Sequence, residues 1–116
     1  MTITRLQPGK RMSQAVKHGN TVYLAGQVAA DYNGTIEKQT AEVLEAIDKL
    51  LAEAGTSKSK VLSCQVILNN IGDFAAMNSV YDAWIDPANP PARACIETRL
   101  AHPSLKVEII AIAALD

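Results

Sequence analysis

Aromatic residues are scarce in this sequence, since Phe, Trp and Tyr together make up only 4% of its 116 residues. Aliphatic side chains must therefore form most of any core. The hydrophobic fraction of 48% is typical of a globular protein, and a chain of this length can bury a sizeable core. We expect residues 1–116 to form a single domain.

Neither sign of charge is in large excess, although acidic residues outnumber basic ones by one. The formal net charge is −1, and the isoelectric point is about 6.1. A general nucleic-acid-binding surface requires clustered Lys and Arg, which release counterions from phosphates. The charge balance therefore argues against such a surface.

Long apolar segments are also missing. Met1–Lys10 lacks the apolar stretch of a secretory signal, and Val107–Leu115 is too short to span a bilayer. We therefore expect a soluble, cytoplasmic protein. Its two cysteines, Cys64 and Cys95, are expected to be free thiols, although a disulfide between them is geometrically possible.

Histidine is equally sparse. His18 and His102 are not spaced as metal ligands with each other or with a cysteine pair, so no metal site is predicted.

The first half of the chain predicts a hairpin and a helix. Gly19-Asn20 separates two short strand-like runs, as in a tight β-hairpin, and Gly26 after the second run indicates a bulge or a close backbone approach. A helical pattern begins at Glu37, and Gly55 is predicted to lie just past its end. Its apolar stripe comprises Val43, Leu44, Ile47, Leu50, Leu51 and Ala54.

The second half predicts a strand, a helix and two closing strands. Val61–Leu68 is a strand with Leu62, Cys64, Val66 and Leu68 on one face. Asp73 is a predicted N-cap for a helix over Phe74–Ile85. The fold class that follows is α+β: a two-layer mixed β-sheet with two helices on one face.

The two closing strands carry the chemistry. Alternation places Arg93, Cys95 and Glu97 on one face of the first. We expect these three to share the uncovered face of the sheet with Ser63 and Gln65, as part of a subunit interface. Glu108 interrupts the otherwise apolar second strand, where a buried carboxylate requires a partner or a role.

Four segments together resemble one known family. They are Gly26-Gln27, Asn78, Pro91-Ala-Arg-Ala-Cys95 and Lys106-Val-Glu-Ile109. The pattern is similar to that of the RidA/YjgF family of reactive-intermediate imine/enamine deaminases, over almost the whole chain. The resemblance implies a chorismate-mutase-like fold and a homotrimer with ligand clefts between subunits. It also implies cofactor-free hydrolysis of 2-imino or 2-enamine acids to 2-oxo acids and ammonia.

The resemblance implies two catalytic residues. Arg93 matches the arginine that binds the substrate carboxylate, which suits the forked guanidinium; the alternative is a structural salt bridge with Glu97 or Glu108. Glu108 matches the glutamate that orients or deprotonates the attacking water, and the alternative is that it neutralises a buried cation. An arginine on one strand and a glutamate on the next can approach across a sheet if the strands are close.

Four further positions match substrate-binding residues of the family. Cys95 would line the cleft or bind through its backbone N–H, whereas its thiol alone suggests a small buried hydrophobe. Asn78 would lie near the cleft, or else is an exposed helix residue. Met12 and Ala25 replace a tyrosine and a serine of the family, so two polar contacts are missing, for which Tyr23 or Tyr81 would have to compensate.

Two other functions compete with the enzyme. The replacements at Met12 and Ala25 favour a trimer that binds small carboxylates without turnover and acts in a regulatory or chaperone-like role. RNA binding or cleavage is suggested only by an older label of the family, and the acidic charge balance opposes it.

Overall fold

The computed structural model describes all 116 residues and contains seven strands and two α-helices. The strands are β1 (Ile3–Leu6), β2 (Ala15–His18), β3 (Thr21–Leu24), β4 (Gln27–Val28), β5 (Val61–Leu68), β6 (Ala92–Glu97) and β7 (Val107–Ala114); the helices are α1 (Ile36–Ala54) and α2 (Phe74–Trp84). Neither helix combines the length and apolarity needed to cross a membrane.

All seven strands form one mixed sheet in the order β1-β2-β3-β7-β5-β6, with β4 also paired to β7. Only β5 and β6 run parallel. The predicted α+β fold class is therefore confirmed. The apolar β7 lies inside the sheet, whereas β6 lies at its edge.

The hairpin between β2 and β3 has the predicted two-residue turn. Gly19 has φ +60°, and the first central position of a type II′ turn requires a positive φ.

Helix α1 begins one residue before its predicted start. Thr35 caps it by accepting a hydrogen bond from the Lys38 backbone N–H at 3.2 Å, and Gly55 ends it in the left-handed region with φ +91°. Every residue of the predicted apolar stripe is buried.

Helix α2 starts where predicted, and Asp73 occupies its N-cap position as predicted. A short 3₁₀ turn over Ile71–Asp73 precedes it, and there Asn70 Oδ1 accepts from the Gly72 N–H at 2.8 Å. The Asp73 side chain makes no capping bond. The side-chain capping bond is therefore made by Asn70 to the 3₁₀ turn, and the helix ends one residue before Ile85.

The predicted face of β5 is wrong at Leu62, the first of the four residues assigned to it. The pairing register with β7 shifts between Val61 and Ser63, so Leu62 bulges out and is 52% exposed. The other three residues of that face are buried, as predicted: Cys64, Val66 and Leu68.

The uncovered face of the sheet is largely apolar. Residues 107, 109, 111 and 113 of β7 pack in the core beneath the helices, so the alternate residues point to the opposite face, which we call the open face. In register across β7, β5 and β6, the open face carries Glu108, Ile67 and Ile96; Ile110, Gln65 and Ala94; and Ile112, Ser63 and Ala92.

The predicted position of the β6 residues on that face is wrong. The register pairs Cys64 with Arg93, Val66 with Cys95 and Leu68 with Glu97. Those three β5 residues are buried beneath the helices, so their β6 partners lie on the helix-covered side. The sequence revealed that side chains alternate along β6. It did not reveal which of the two faces of β6 lies toward α2.

Candidate active site

Arg93 is an exposed cation held by two residues of α2. Its Nη1 donates to Asn78 Oδ1 at 2.7 Å, and its Cζ lies 4.7 Å from the ring centroid of Tyr81. Phe74 flanks it at 5.8 Å. Asn78 and Tyr81 are three residues apart, so they project from the same side of the helix toward the edge strand.

The alternative role predicted for Arg93 is a structural salt bridge with Glu97 or Glu108. Within one chain that prediction is wrong. The two ion pairs of the protein are Lys38–Asp31 and Lys49–Glu45. Glu97 instead accepts from the Ile71 backbone N–H at 2.8 Å. The guanidinium therefore retains donors for a carboxylate, because Asn78 uses only one of its five N–H groups.

The two thiols near Arg93 are held protonated. Burial raises the pKa of the Cys64 thiol, against opposing effects of the Tyr81 hydroxyl and the Arg93 charge. Burial likewise raises the pKa of Cys95, with Arg93 opposing. Neither cysteine is paired in a disulfide, and neither has the low pKa of a nucleophilic cysteine.

A shallow depression lies at the sheet edge formed by β5 and β6, and Arg93 is part of its lining. Its volume is about 360 Å³, and Ser63, Cys64, Gln65, Ala92, Arg93 and Ala94 line it. This volume lies within the range of small-molecule sites.

Glu108 lies elsewhere, against the backbone of Gly26. It is half-buried on the open face, opposite Val28 of β4 and Ile67 of β5. A Cβ added at Gly26 would overlap Oε2 of Glu108 and lie 2.9 Å from its Cδ. The predicted close backbone approach at Gly26 is therefore confirmed, and its cause is the Glu108 carboxyl group.

Two of the remaining predicted residues lie in the segments before Gly26. The Ala25 N–H donates to the Gln14 carbonyl at 2.8 Å, and Gln27 Nε2 donates to Gln14 Oε1 at 3.1 Å. Met12, two residues before Gln14, is 50% exposed in the β1–β2 loop. Neither Met12 nor Ala25 brings a polar side chain.

Apart from Met12 in the β1–β2 loop, the predicted site residues separate into two groups within one chain. The arginine half-site contains Asn78, Arg93 and Cys95; the glutamate half-site contains Ala25, Gly26 and Glu108. β5 lies between β6 and β7, and Arg93 is level with Ala111, three residues from Glu108. From ordinary strand spacings their Cα atoms are roughly 14 Å apart, with the side chains on opposite faces.

Comparison with known proteins identifies the family. The family model described as endoribonuclease L-PSP matches residues 2–115. A RutC family protein of Haemophilus influenzae is 46% identical over 117 residues, covering 97% of this chain and 98% of the relative. The chain belongs to this family. It is the RidA/YjgF family that the sequence motifs indicated.

A solved structure from the same family matches the fold closely. The YjgF family member of Neisseria meningitidis superimposes with a TM-score of 0.97 at 41% identity, covering 100% of this chain and 97% of that chain. The RutC family protein YoaB of Escherichia coli is 38% identical and covers 99% of this chain and 100% of its own.

Sequence reasoning overlooked two contacts of this RidA/YjgF chain. The rings of Phe74 and Tyr81 both flank Arg93, although their spacing along α2 is equally that of an apolar stripe. From the sequence, Tyr81 is expected only as a replacement for a missing polar contact. Its spacing of three residues from Asn78 was the available signal, but using it requires knowing that β6 lies beside α2.

Proposed function

We propose that this protein is a homotrimeric deaminase that hydrolyses reactive 2-imino and 2-enamine acids to 2-oxo acids and ammonia. Arg93 binds the substrate carboxylate, and Glu108 activates the attacking water. No cofactor takes part in this scheme.

The observation that carries the proposal is the state of Arg93. Its guanidinium is exposed, oriented by Asn78 and Tyr81, and engaged in neither ion pair of the chain. Holding a cation in place without a counter-ion suits a ligand that brings its own carboxylate. Two parallel N–H···O bonds would then orient that carboxylate.

Glu108 suits the proton transfers that hydrolysis of a C=N bond requires. Water adds to C2 of the imine and gives a carbinolamine. The carboxylate of Glu108 accepts a proton from that water and delivers it to the nitrogen. The carbinolamine hydroxyl then gives up its proton, which Glu108 passes to the amino group. The C–N bond breaks as the C–O bond becomes the carbonyl, which releases ammonia and leaves the 2-oxo acid. Gly26 allows the carboxyl its position because a side chain there would displace it.

The proposed site combines half-sites of two different copies. Within one chain Arg93 and Glu108 project from opposite faces, so the two can serve one substrate only across an interface. The apolar open face, which includes Ile110, requires a cover of this kind. A closed trimer would provide three such interfaces.

Turnover is tested by generating imino acids with an amino-acid oxidase and trapping them with semicarbazide. The expected result is that added protein lowers the trapped signal for at least one of several side chains. An unchanged signal for every side chain contradicts the enzymatic proposal.

Sharing of the site is tested by mixing two inactive variants, Arg93→Ala and Glu108→Ala, through unfolding and refolding. If each site takes Arg93 from one copy and Glu108 from the next, an equal mixture recovers about one quarter of wild-type activity. The matched control mixes Arg93→Ala with the double variant, in which no intact pair can form. Recovery no greater than in the control contradicts a shared site.

Two other functions are outcomes of the same work. Met12 and Ala25 offer no polar side chain to a substrate, which favours a carboxylate-binding trimer; saturable binding of 2-oxobutyrate without turnover would support it. The family description names an endoribonuclease, so RNA is included as a second substrate. Salt-sensitive RNA binding would favour that activity, against the net charge of −1.

A further inference from the structure

Tyr81 occupies an unusual position for a buried tyrosine. It is 5% exposed, yet one face of its ring lies beneath the exposed guanidinium of Arg93, with 4.7 Å between Cζ and the ring centroid. This distance is within the range of a cation–π contact. The ring belongs to the core cluster, so it is a fixed surface on which a mobile side chain can rest.

Asn78 and Tyr81 constrain different motions of Arg93. The bond from Nη1 to Asn78 Oδ1 fixes one edge of the guanidinium. A hydrogen bond at one edge still allows the planar group to tilt about that edge, whereas contact with a ring face limits the tilt. The opposite edge keeps donors for a carboxylate.

The Tyr81 ring keeps its charge state throughout the neutral range. Burial raises the pKa of Tyr81 to about 12, so the hydroxyl remains protonated. The electron-rich face of a neutral ring is therefore available to Arg93 at every pH at which the enzyme would work.

We infer that Tyr81 is a positioning residue, whose ring face sets the plane in which Arg93 receives the substrate carboxylate. This inference rests on the proposed function for the identity of the ligand. It assigns Tyr81 no contact with substrate. The benefit is a lower ordering cost, because an arginine already held in its binding orientation loses less rotamer freedom when the ligand arrives.

The first test measures the environment of the Arg93 side chain in the absence of any ligand. In nuclear magnetic resonance spectra, the Arg93 Nε–H signal is assigned by its loss in Arg93→Lys. We expect a ring-current-shifted signal in the wild type and in Tyr81→Phe, which keeps the ring. Tyr81→Leu should remove most of this ring-current shift, although Asn78 and Phe74 still contact Arg93. An unmoved signal in Tyr81→Leu overturns the inference, whatever the enzyme assay shows.

The second test measures function with Tyr81→Phe as the matched control. Tyr81→Leu should raise the Kd for 2-oxobutyrate and the KM for the imino acid by about 2- to 30-fold, the range of a cation–π contact. Tyr81→Phe should change both by less than about 2-fold, and kcat should change less than KM in each. Equal effects of the Leu and Phe variants would assign the role to the hydroxyl and overturn the inference.

A shape-preserving variant covers the case in which Tyr81→Leu does not fold. Pentafluorophenylalanine at position 81 retains the ring outline but withdraws electron density from its face. Relative to Tyr81→Phe, it should raise the Kd for 2-oxobutyrate several-fold, and an unchanged Kd overturns the inference. If no imine is turned over but these shifts are seen, the positioning role stands and the deaminase proposal fails.

Discussion

At the scale of single residues, Arg93 shows how a side chain can be ordered without being neutralised. Its contacts are an amide oxygen and two aromatic rings, which orient a cation but leave its charge uncompensated. The proposed carboxylate ligand would therefore gain two charge-assisted hydrogen bonds without first breaking a salt bridge.

The first prediction concerns the shape of that cation. Arg93→Ala should lower kcat/KM by about 100-fold or more, because each hydrogen bond to a charged group contributes about 1.5–3 kcal/mol. Arg93→Lys should recover only part of the lost kcat/KM, since an ammonium cannot form the two parallel hydrogen bonds. Imine-trapping assays measure both, and retained activity in Arg93→Ala would remove this residue from the site. Thermal melts should differ little, because Arg93 is exposed.

The second prediction concerns Gly26. Gly26→Ala should lower kcat by about 100-fold and destabilise the fold by about 1–3 kcal/mol, because the new methyl overlaps the Glu108 carboxyl group. Glu108→Ala removes the clashing atoms. In that background the Gly26 substitution should cost little further stability in urea titrations. A full additional loss there would show that the backbone, not Glu108, requires glycine.

The third prediction is a pH dependence. Burial raises the pKa of Tyr81 from about 10 to about 12, so the folded chain holds this proton more tightly than the unfolded chain. The resulting stability is complete below pH 10 and is lost as the pH rises from about 10 to about 12. The Tyr81→Phe variant has no hydroxyl proton at this position, so it cannot lose this contribution to stability. The melting temperature of the variant should therefore fall less steeply than that of the wild type over this range. Parallel curves would contradict the raised pKa.

At the scale of elements, one buried amide joins the first helix to the loop that leads into β7. Gln39 Nε2 donates to the carbonyl oxygens of Ser104 at 3.0 Å and Gly34 at 3.2 Å, and its Oε1 accepts from the Lys106 N–H at 2.8 Å. Lys106 lies two residues before Glu108. The amide therefore holds the start of the strand that carries the proposed base.

The fourth prediction tests that connection. Gln39→Leu should destabilise the protein by about 2–4 kcal/mol, because it leaves backbone groups without partners in a buried setting. The matched control is Thr40→Val at the next buried polar position, where the hydroxyl bonds only to Ile36 O within the helix at 2.7 Å. The control should cost about 1 kcal/mol or less. Urea unfolding measures both, and similar losses would show that Gln39 has no special role.

Element boundaries were the part of the fold most readily predicted. The apolar stripe and Gly55 define α1 by local rules, and Gly19 defines the hairpin because few residues accept its φ. The face of Leu62 is not predictable locally, because the bulge there depends on pairing with β7, which is distant along the chain. The 3₁₀ turn before α2 likewise has its Ile71 N–H bonded to Glu97, 26 residues later.

At the scale of the whole molecule, the open face leaves apolar side chains uncovered in a single chain. Ile67, Ile96, Ile110 and Ile112 lie on it, and none is fully buried. Apolar surface of this kind marks an interface. The proposed trimer would cover it and bring the two half-sites together.

The fifth prediction follows. Ile110→Lys should shift the protein from trimer to monomer in sedimentation measurements and abolish imine turnover, because an unpaired charge at an apolar interface is costly. The control is Ala41→Lys on the exposed side of α1, which should leave assembly and activity unchanged. A trimeric Ile110→Lys variant would show that the open face is not the interface.

The amino-acid sequence alone determined the family, the fold class, the helices and the identity of Arg93 and Glu108 as candidates, because these depend on local pattern and motif. Only the tertiary structure decided that the two lie on opposite faces of the sheet and that Tyr81 lies beneath the guanidinium. Alternation along a strand tells which residues share a face, but strand order, register and the side on which the helices pack arise from contacts between distant segments.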